Sequence, residues 1–315
     1  MRLYYSFVTA ITGWIGVSYY EFQCGNQLDG CYGNLPDIKT KLTIFIILFL
    51  SWGVNQIIND YLGIKEDQIN APQRPMVTGE LDPFKALSLS VIFILNTFIF
   101  TWIYLKPLAG IFLIIGVLLN VVYGYYKKHS FGIAIYGLSI TSTILYSYYA
   151  LSPVNATFLL PEAISLILVV VMMHMLMCYF TYFKDYEGDL SAGINTLVVK
   201  FGLKTSSRLG LVFSLFPLSI YLLLYNMSIL SFEINNTFLL LGSITVFLQI
   251  WTAALFYLQP EGEMTFSSLK QNTRACTCGQ AAIISIFNAS LAIWLFLFTY
   301  IFVGFLFDML GHSKK

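Results

Sequence analysis

Long apolar runs, separated by short polar stretches, fill almost the whole chain. Nine of them have the length of membrane-crossing helices, at residues 3–20, 42–60, 86–105, 107–126, 131–151, 158–182, 207–226, 235–258 and 280–306. A helix needs about 20 apolar residues to cross the bilayer core. Only Lys106-Pro107 divides the third run from the fourth. The runs are continuously apolar rather than alternating over short strands, which excludes a membrane β-barrel. The expected architecture is an all-α polytopic membrane protein, a bundle of nine transmembrane helices around one central cavity. Residues 1–315 are expected to form a single domain, with no internal repeat and no appended soluble part. The first run is followed by polar loop and not by a small-residue cleavage site, so no cleavable leader is expected.

Composition sharpens this picture because charge is scarce. Hydrophobic residues make up 57% of the chain and charged residues only 10%, the balance of an integral membrane protein. Yet six of the 16 acidic residues fall in two segments at the ends of apolar runs. The first segment, NQIINDYLGIKEDQINAPQRP, holds Asp60, Glu66 and Asp67; the second, YFKDYEGDLSAGINTLVVKFG, holds Asp185, Glu187 and Asp189. An acid at the centre of a membrane helix costs roughly 2.5–3.5 kcal/mol on insertion scales, so such a concentration calls for a compensating partner.

The basic residues place both segments on one side. The nine-segment topology puts twelve of the 17 with the acidic segments, among them Arg2, Lys65, Lys85, Lys200, Lys204, Arg208, Lys270 and Arg274. Lys39, Lys41, Lys106, Lys314 and Lys315 are left opposite. The positive-inside rule then assigns the N-terminus and both acidic segments to the cytoplasmic side.

Hard divalent cations prefer oxygen ligands, and magnesium takes a few carboxylates together with substrate phosphates. If the second helix runs on through the first segment, Asp60 and Asp67 share a face two turns apart, and Asn55 and Asn59 stand one above the other. Asp185 and Asp189, four residues apart, share a face at the end of the sixth helix. The plainer account of each segment alone is a solvated helix end or N-cap. The pairing of both with basic residues on one predicted side favours a metal and a bound anion. Arg74 is held in the stiff APQRP, Lys127 and Lys128 lie in the YGYYKKHSFG turn, and Lys184 precedes Asp185. Arg grips phosphate through a planar fork, and Lys acts as a mobile point charge.

Other polar residues add less. Cys24 and Cys31 share the first outward loop and have the spacing for a disulfide. Cys276 and Cys278 form a CxC too tight for an ordinary zinc pair, and Cys178 sits in an apolar run as a small core residue. His174 has two readings, an acceptor-side base lining the cavity or a hydrogen-bonded helix-packing residue, with the second favoured.

The two acidic segments resemble the motifs of the UbiA superfamily of intramembrane prenyltransferases, NDxxDxxxD and DxxxD. The first reads here Asn59-Asp60-Tyr61-Leu62-Gly63-Ile64-Lys65-Glu66-Asp67, and the second Asp185-Tyr186-Glu187-Gly188-Asp189. The continuation QINAPQRPMVTGE is similar to the family's INxPxRPxxSGE, LSAGINTLVVKFG to its GxxTLPVxFG, and YYKKHS to its KR turn. One departure stands out: Gly63 occupies the position of the family's middle aspartate, with Asn55, Gln56 and Glu66 offering oxygens nearby. The resemblance implies magnesium held by Asn59, Asp60, Asp67, Asp185 and Asp189. It implies an isoprenyl diphosphate met by Asn55, Arg74, Lys127, Lys128 and Lys184, with Asp67, Asp185 and Asp189 essential to catalysis. Its implied reaction is prenyl transfer to an aromatic or other lipophilic acceptor in the membrane. The 21 Tyr and 27 Phe can wall off an allylic cation.

Two other readings stay open. A membrane terpene cyclase would use the same ionisation and cyclise the chain internally, a possibility that the Gly63 departure raises. A transporter would place its acids near the bilayer midplane in broken helices, whereas these acids lie at helix ends on one side. No nucleic-acid partner is expected.

Overall fold

The computed structural model describes residues 3–26, 35–151, 161–262 and 264–311, side chains included to residue 309. Arg2, Cys31, Lys314 and Lys315 lie outside them. The chain is a bundle of helices in the order α1 (Leu3–Gly25), α2 (Ile38–Leu62), α3 (Ile64–Asn70), α4 (Pro75–Thr78), α5 (Pro83–Tyr104), α6 (Pro107–Tyr126) and α7 (Gly132–Leu151). After these come α8 (Pro161–Thr181), a 3-10 turn (Tyr182–Asp185), α9 (Tyr186–Ser191) and α10 (Leu197–Phe201). The last five are α11 (Leu203–Phe213), α12 (Phe216–Asn226), α13 (Asn236–Leu258), α14 (Met264–Ile284) and α15 (Ala289–Gly311).

Local sequence explains where helices start. Asp37, Asp82 and Asn235 precede α2, α5 and α13, and each side chain accepts a hydrogen bond from the backbone N–H three residues on, at 2.8, 2.9 and 2.8 Å. Such caps satisfy backbone donors that a helix end leaves bare. Pro83 and Pro107 open α5 and α6, where a proline's missing N–H costs nothing.

Seven stretches are long and apolar enough to cross a bilayer: α2, α5, α6, α8 extended to Ser191, α11 with α12, α13, and α15 to Met309. Most turn apolar side chains outward, including Phe93, Ile99, Leu118, Trp251 and Phe305, which makes a lipid-facing coat. Three further helices of 20 residues or more, α1, α7 and α14, fall outside that set because they carry many polar side chains. They lie in the interior, where those polar groups find partners. Thr9 of α1 donates to the Leu48 carbonyl at 2.7 Å, Tyr148 of α7 to Gln23 Oε1 at 2.6 Å, and Asn272 of α14 to the Met177 carbonyl at 2.9 Å. Interhelical bonds of this kind hold membrane bundles where no hydrophobic drive between helices exists.

The last expected span, 280–306, is divided between two helices. Chain 285–288 turns, tied by Asn235 Nδ2 to the Ser285 carbonyl at 2.7 Å and by the Asn288 side chain capping the Leu291 N–H at 3.0 Å. The polar half of α14 had the composition of a loop, yet it is a buried helix. An α14–α15 hairpin follows, clasped by Lys270 and Asp308 at 2.7 Å.

Candidate functional site

The chain breaks regular helix at both acidic segments. α2 stops at Gly63, whose φ of −106° and ψ of 15° depart from helical values, and α3 begins directly after it. The expectation of one helix running through the segment therefore fails. Asp60 and Asp67 nevertheless converge, because Arg74 reaches back from the start of α4 and donates from Nη1 to both, at 2.9 Å to Asp60 Oδ1 and in a tighter contact to Asp67 Oδ2. The second segment departs likewise. Asp185 ends the 3-10 turn and Asp189 belongs to α9, so the two do not sit on one continuous helix face. Lys184 Nζ donates to both Asp185 oxygens at 2.5 Å, and the buried Asp189 accepts from Asn70 Nδ2 at 2.9 Å.

That last bond joins the segments. α3 packs on α9 so closely that a Cβ on Gly188 would collide with the Asn70 side chain. Glycine is required there for the approach itself.

The segments form two walls of one cavity of about 190 Å³. All ten residues expected at the site line it: Asn55, Asn59, Asp60, Asp67 and Arg74 from one segment, Lys127 and Lys128 from the α6–α7 turn, and Lys184, Asp185 and Asp189 from the other. Glu66 also lines it and pairs with Lys128. Glu187 is exposed and absent from the lining. His174 lies elsewhere, fully buried between Thr12 at 3.1 Å and Gln280 at 3.0 Å. It is a node of helix packing, as favoured.

Sequence reasoning missed several lining residues. Asn120 accepts from Asn59 Nδ2 at 3.0 Å, which orients that amide, and donates to the Asn55 backbone carbonyl at 3.3 Å. A lone amide inside the apolar run of α6 was its signal. Tyr123, Tyr136, Tyr182 and Cys178 also line the cavity. A second cavity of about 150 Å³ shares Asn55 and Ile140 with the first and is walled mostly by apolar side chains such as Ile47, Phe93, Phe112 and Leu113.

Electrostatics follow from burial and partners. Burial pushes the Asp67 carboxyl above the usual carboxylate range, against the pull of Arg74. Burial acts the same way on Glu66, but the bond to Lys128 and the charges of Lys127 and Lys128 outweigh it and hold that carboxyl below its usual value. The donor set suits a hard cation. It is built of carboxylate and amide oxygens, and Asn59 Oδ1 and Glu66 Oε2 are buried without a hydrogen-bond partner among the described residues. No three acids, histidines or cysteines converge into a ready cage among the described residues.

Fold and cavity together define a multi-pass integral membrane protein with an oxygen- and cation-lined site at the ends of its helices. The chain belongs to the UbiA prenyltransferase family, whose sequence profile matches residues 31–273. It is 33% identical over 199 residues to a digeranylgeranylglyceryl phosphate synthase of Thermococcus sibiricus, covering 58% of this chain and 63% of that protein. It is 30% identical over 118 residues to a 4-hydroxybenzoate octaprenyltransferase of Shewanella pealeana, covering 37% and 41%. The chain thus spans less than two thirds of the length of these curated relatives. The structure of a UbiA homolog from Aeropyrum pernix K1 superposes with a TM-score of 0.70 at 15% identity, over 90% of this chain and 98% of that one. That likeness shows the fold.

Proposed function

We propose that the chain transfers a prenyl group from an isoprenyl diphosphate to a lipophilic acceptor within the membrane, with magnesium as cofactor and the cavity opening on the cytoplasmic side. The observation that carries this reading is a pair of neighbouring cavities that share Asn55 and Ile140, one lined by carboxylates and cations and the other mostly apolar. A diphosphate head fits the first and a hydrocarbon tail the second. The two relatives' names speak of a glyceryl phosphate and of 4-hydroxybenzoate, so lipophilic acceptors of both kinds suit the family.

The oxygens of Asp185 and Asp189 on one wall, and of Asn59, Asp60 and Asp67 on the other, would hold magnesium. When bound, it neutralises charge gathering on a departing diphosphate. Arg74, Lys127, Lys128 and Lys184 supply fixed positive charge to the same oxygens, and such preorganised charge acts on the transition state more than on the ground state. Tyr123, Tyr136 and Tyr182 line the cavity; their apolar rings would help keep water from an allylic cation and offer it aromatic faces.

The test incubates purified protein in detergent with isoprenyl diphosphates and magnesium, with and without lipid extract. Diphosphate release that needs the extract, together with a prenylated lipid, is the expected result. Release without extract and a hydrocarbon product would mean cyclisation and would contradict the transferase reading.

A further inference from the structure

The two walls of the cavity carry different charge. On the first, the carboxylates of Asp60, Asp67 and Glu66 are paired with Arg74 and Lys128, and Lys127, seated against Gly63, brings the formal charge of this wall to zero while its field also reaches Asp189. On the second, Asp185 and Asp189 face one cation, Lys184, and Asp189 is hydrogen-bonded to a neutral amide. That wall keeps a formal negative charge, with Asp189 buried and Asp185 half-buried.

Gly63 makes the neutrality of the first wall possible. A Cβ on Gly63 would run into Lys127 Nζ and would lie 3.6 Å from Glu66 Oε2. The ammonium therefore occupies the space that any side chain at residue 63 would fill. Among the described residues Lys127 makes no ion pair of its own, and its charge bears on Glu66 and Asp67 and, across the cavity, on Asp189. A half-buried lysine held between two acidic segments without a dedicated carboxylate has donors to spare for an anion.

We propose that Lys127, seated in the notch at Gly63, stands in for a divalent cation on the first wall. Of the oxygens named for magnesium above, those of Asp185 and Asp189 then hold the single divalent cation, and the fixed ammonium replaces a second one at Asn59, Asp60 and Asp67, so the diphosphate is gripped from both walls. This rests on the diphosphate reading above. Coulomb attraction favours the assignment: a doubly charged ion is drawn to the wall with surplus negative charge, and on the neutral wall it would have to displace Arg74 or Lys127. The dependence on magnesium should accordingly be first order.

The test counts cations directly. Purified chain is mixed with Mn²⁺ and a non-hydrolysable isoprenyl thiolodiphosphate, and bound Mn²⁺ is read by electron paramagnetic resonance while analogue binding is read by calorimetry. One Mn²⁺ per chain is expected for the unmodified protein. Two are expected for Gly63→Asp/Lys127→Met, which restores a carboxylate and removes the ammonium. Lys127→Met alone should keep one Mn²⁺ and bind the analogue about tenfold more weakly or worse, the scale of a lost charged hydrogen bond, with Lys127→Arg recovering most of it. Two Mn²⁺ on the unmodified chain would overturn the proposal, and that count decides even if the double variant fails to fold. One Mn²⁺ on a folded double variant would overturn it too, by removing Lys127 as the cause. No analogue binding at any Mn²⁺ concentration would instead sink the diphosphate reading, and the inference with it.

Discussion

On one wall of the cavity Asp60 and Asp67 share the Arg74 guanidinium and Glu66 holds Lys128. On the other, Asp185 pairs with its sequence neighbour Lys184 while Asp189 leans on the Asn70 amide. Both segments present carboxylates to the same space, yet only the first answers each of them with a cation of the chain. Acidic motifs that look alike in sequence thus differ in what they still need. Under the proposed assignment the first would engage an anion through its cations, and the second would take a cation.

The sharpest way to break this comparison is to remove the second wall's acids. Asp185→Ala or Asp189→Ala should lower magnesium-dependent diphosphate release about a hundredfold, the usual scale for losing one electrostatic stabiliser of a transition state. Asp67→Ala should cost about tenfold. An initial-rate assay giving the reverse order would end the asymmetry.

Removing Arg74 tests the first wall. Arg74→Gln leaves Asp60 and Asp67 facing each other without their shared partner, and should lower stability by about 2 kcal/mol. Added magnesium should restore part of it, because the wall would then carry surplus negative charge. Thermal unfolding with and without magnesium measures both effects, and an unchanged melting temperature would show that Arg74 is dispensable.

A smaller effect is expected where the walls meet. Gly188→Ala should force Asn70 away from Asp189 and cost roughly 1–2 kcal/mol by overpacking. Weaker Mn²⁺ binding should accompany it, and unaltered binding would remove Asn70 from the account. The smallest change belongs to Glu187→Gln. That residue is exposed and outside the lining, so rate and stability should stay within about twofold and 0.5 kcal/mol.

The apolar runs revealed the membrane-spanning coat because lipid-facing helices must be apolar all along their outer face. They concealed α14, since a helix packed inside the bundle is free to carry Asn272, Thr273 and Gln280. His174 read as a helix-packing residue, but its partners Thr12 and Gln280 sit on other helices and carry no signal in its own run. At the site, residue types and spacing sufficed to collect all ten expected side chains around one cavity. Pairing was beyond their reach. Helix periodicity puts Asp60 and Asp67 on one face, but the break at Gly63 means that Arg74 brings them together. Asn120 and Lys127 come from α6 and its end, far along the chain from the segments they touch, and no spacing rule within either segment points to them.

The position of a bound divalent ion distinguishes the two walls most directly. Anomalous diffraction from crystals grown with Mn²⁺ and the thiolodiphosphate analogue reads that position without relying on a rate. A single anomalous peak against Asp185 and Asp189, with the diphosphate lying between it and Lys127, is the predicted result. A peak between Asp60 and Asp67, with Arg74 swung aside, would contradict it.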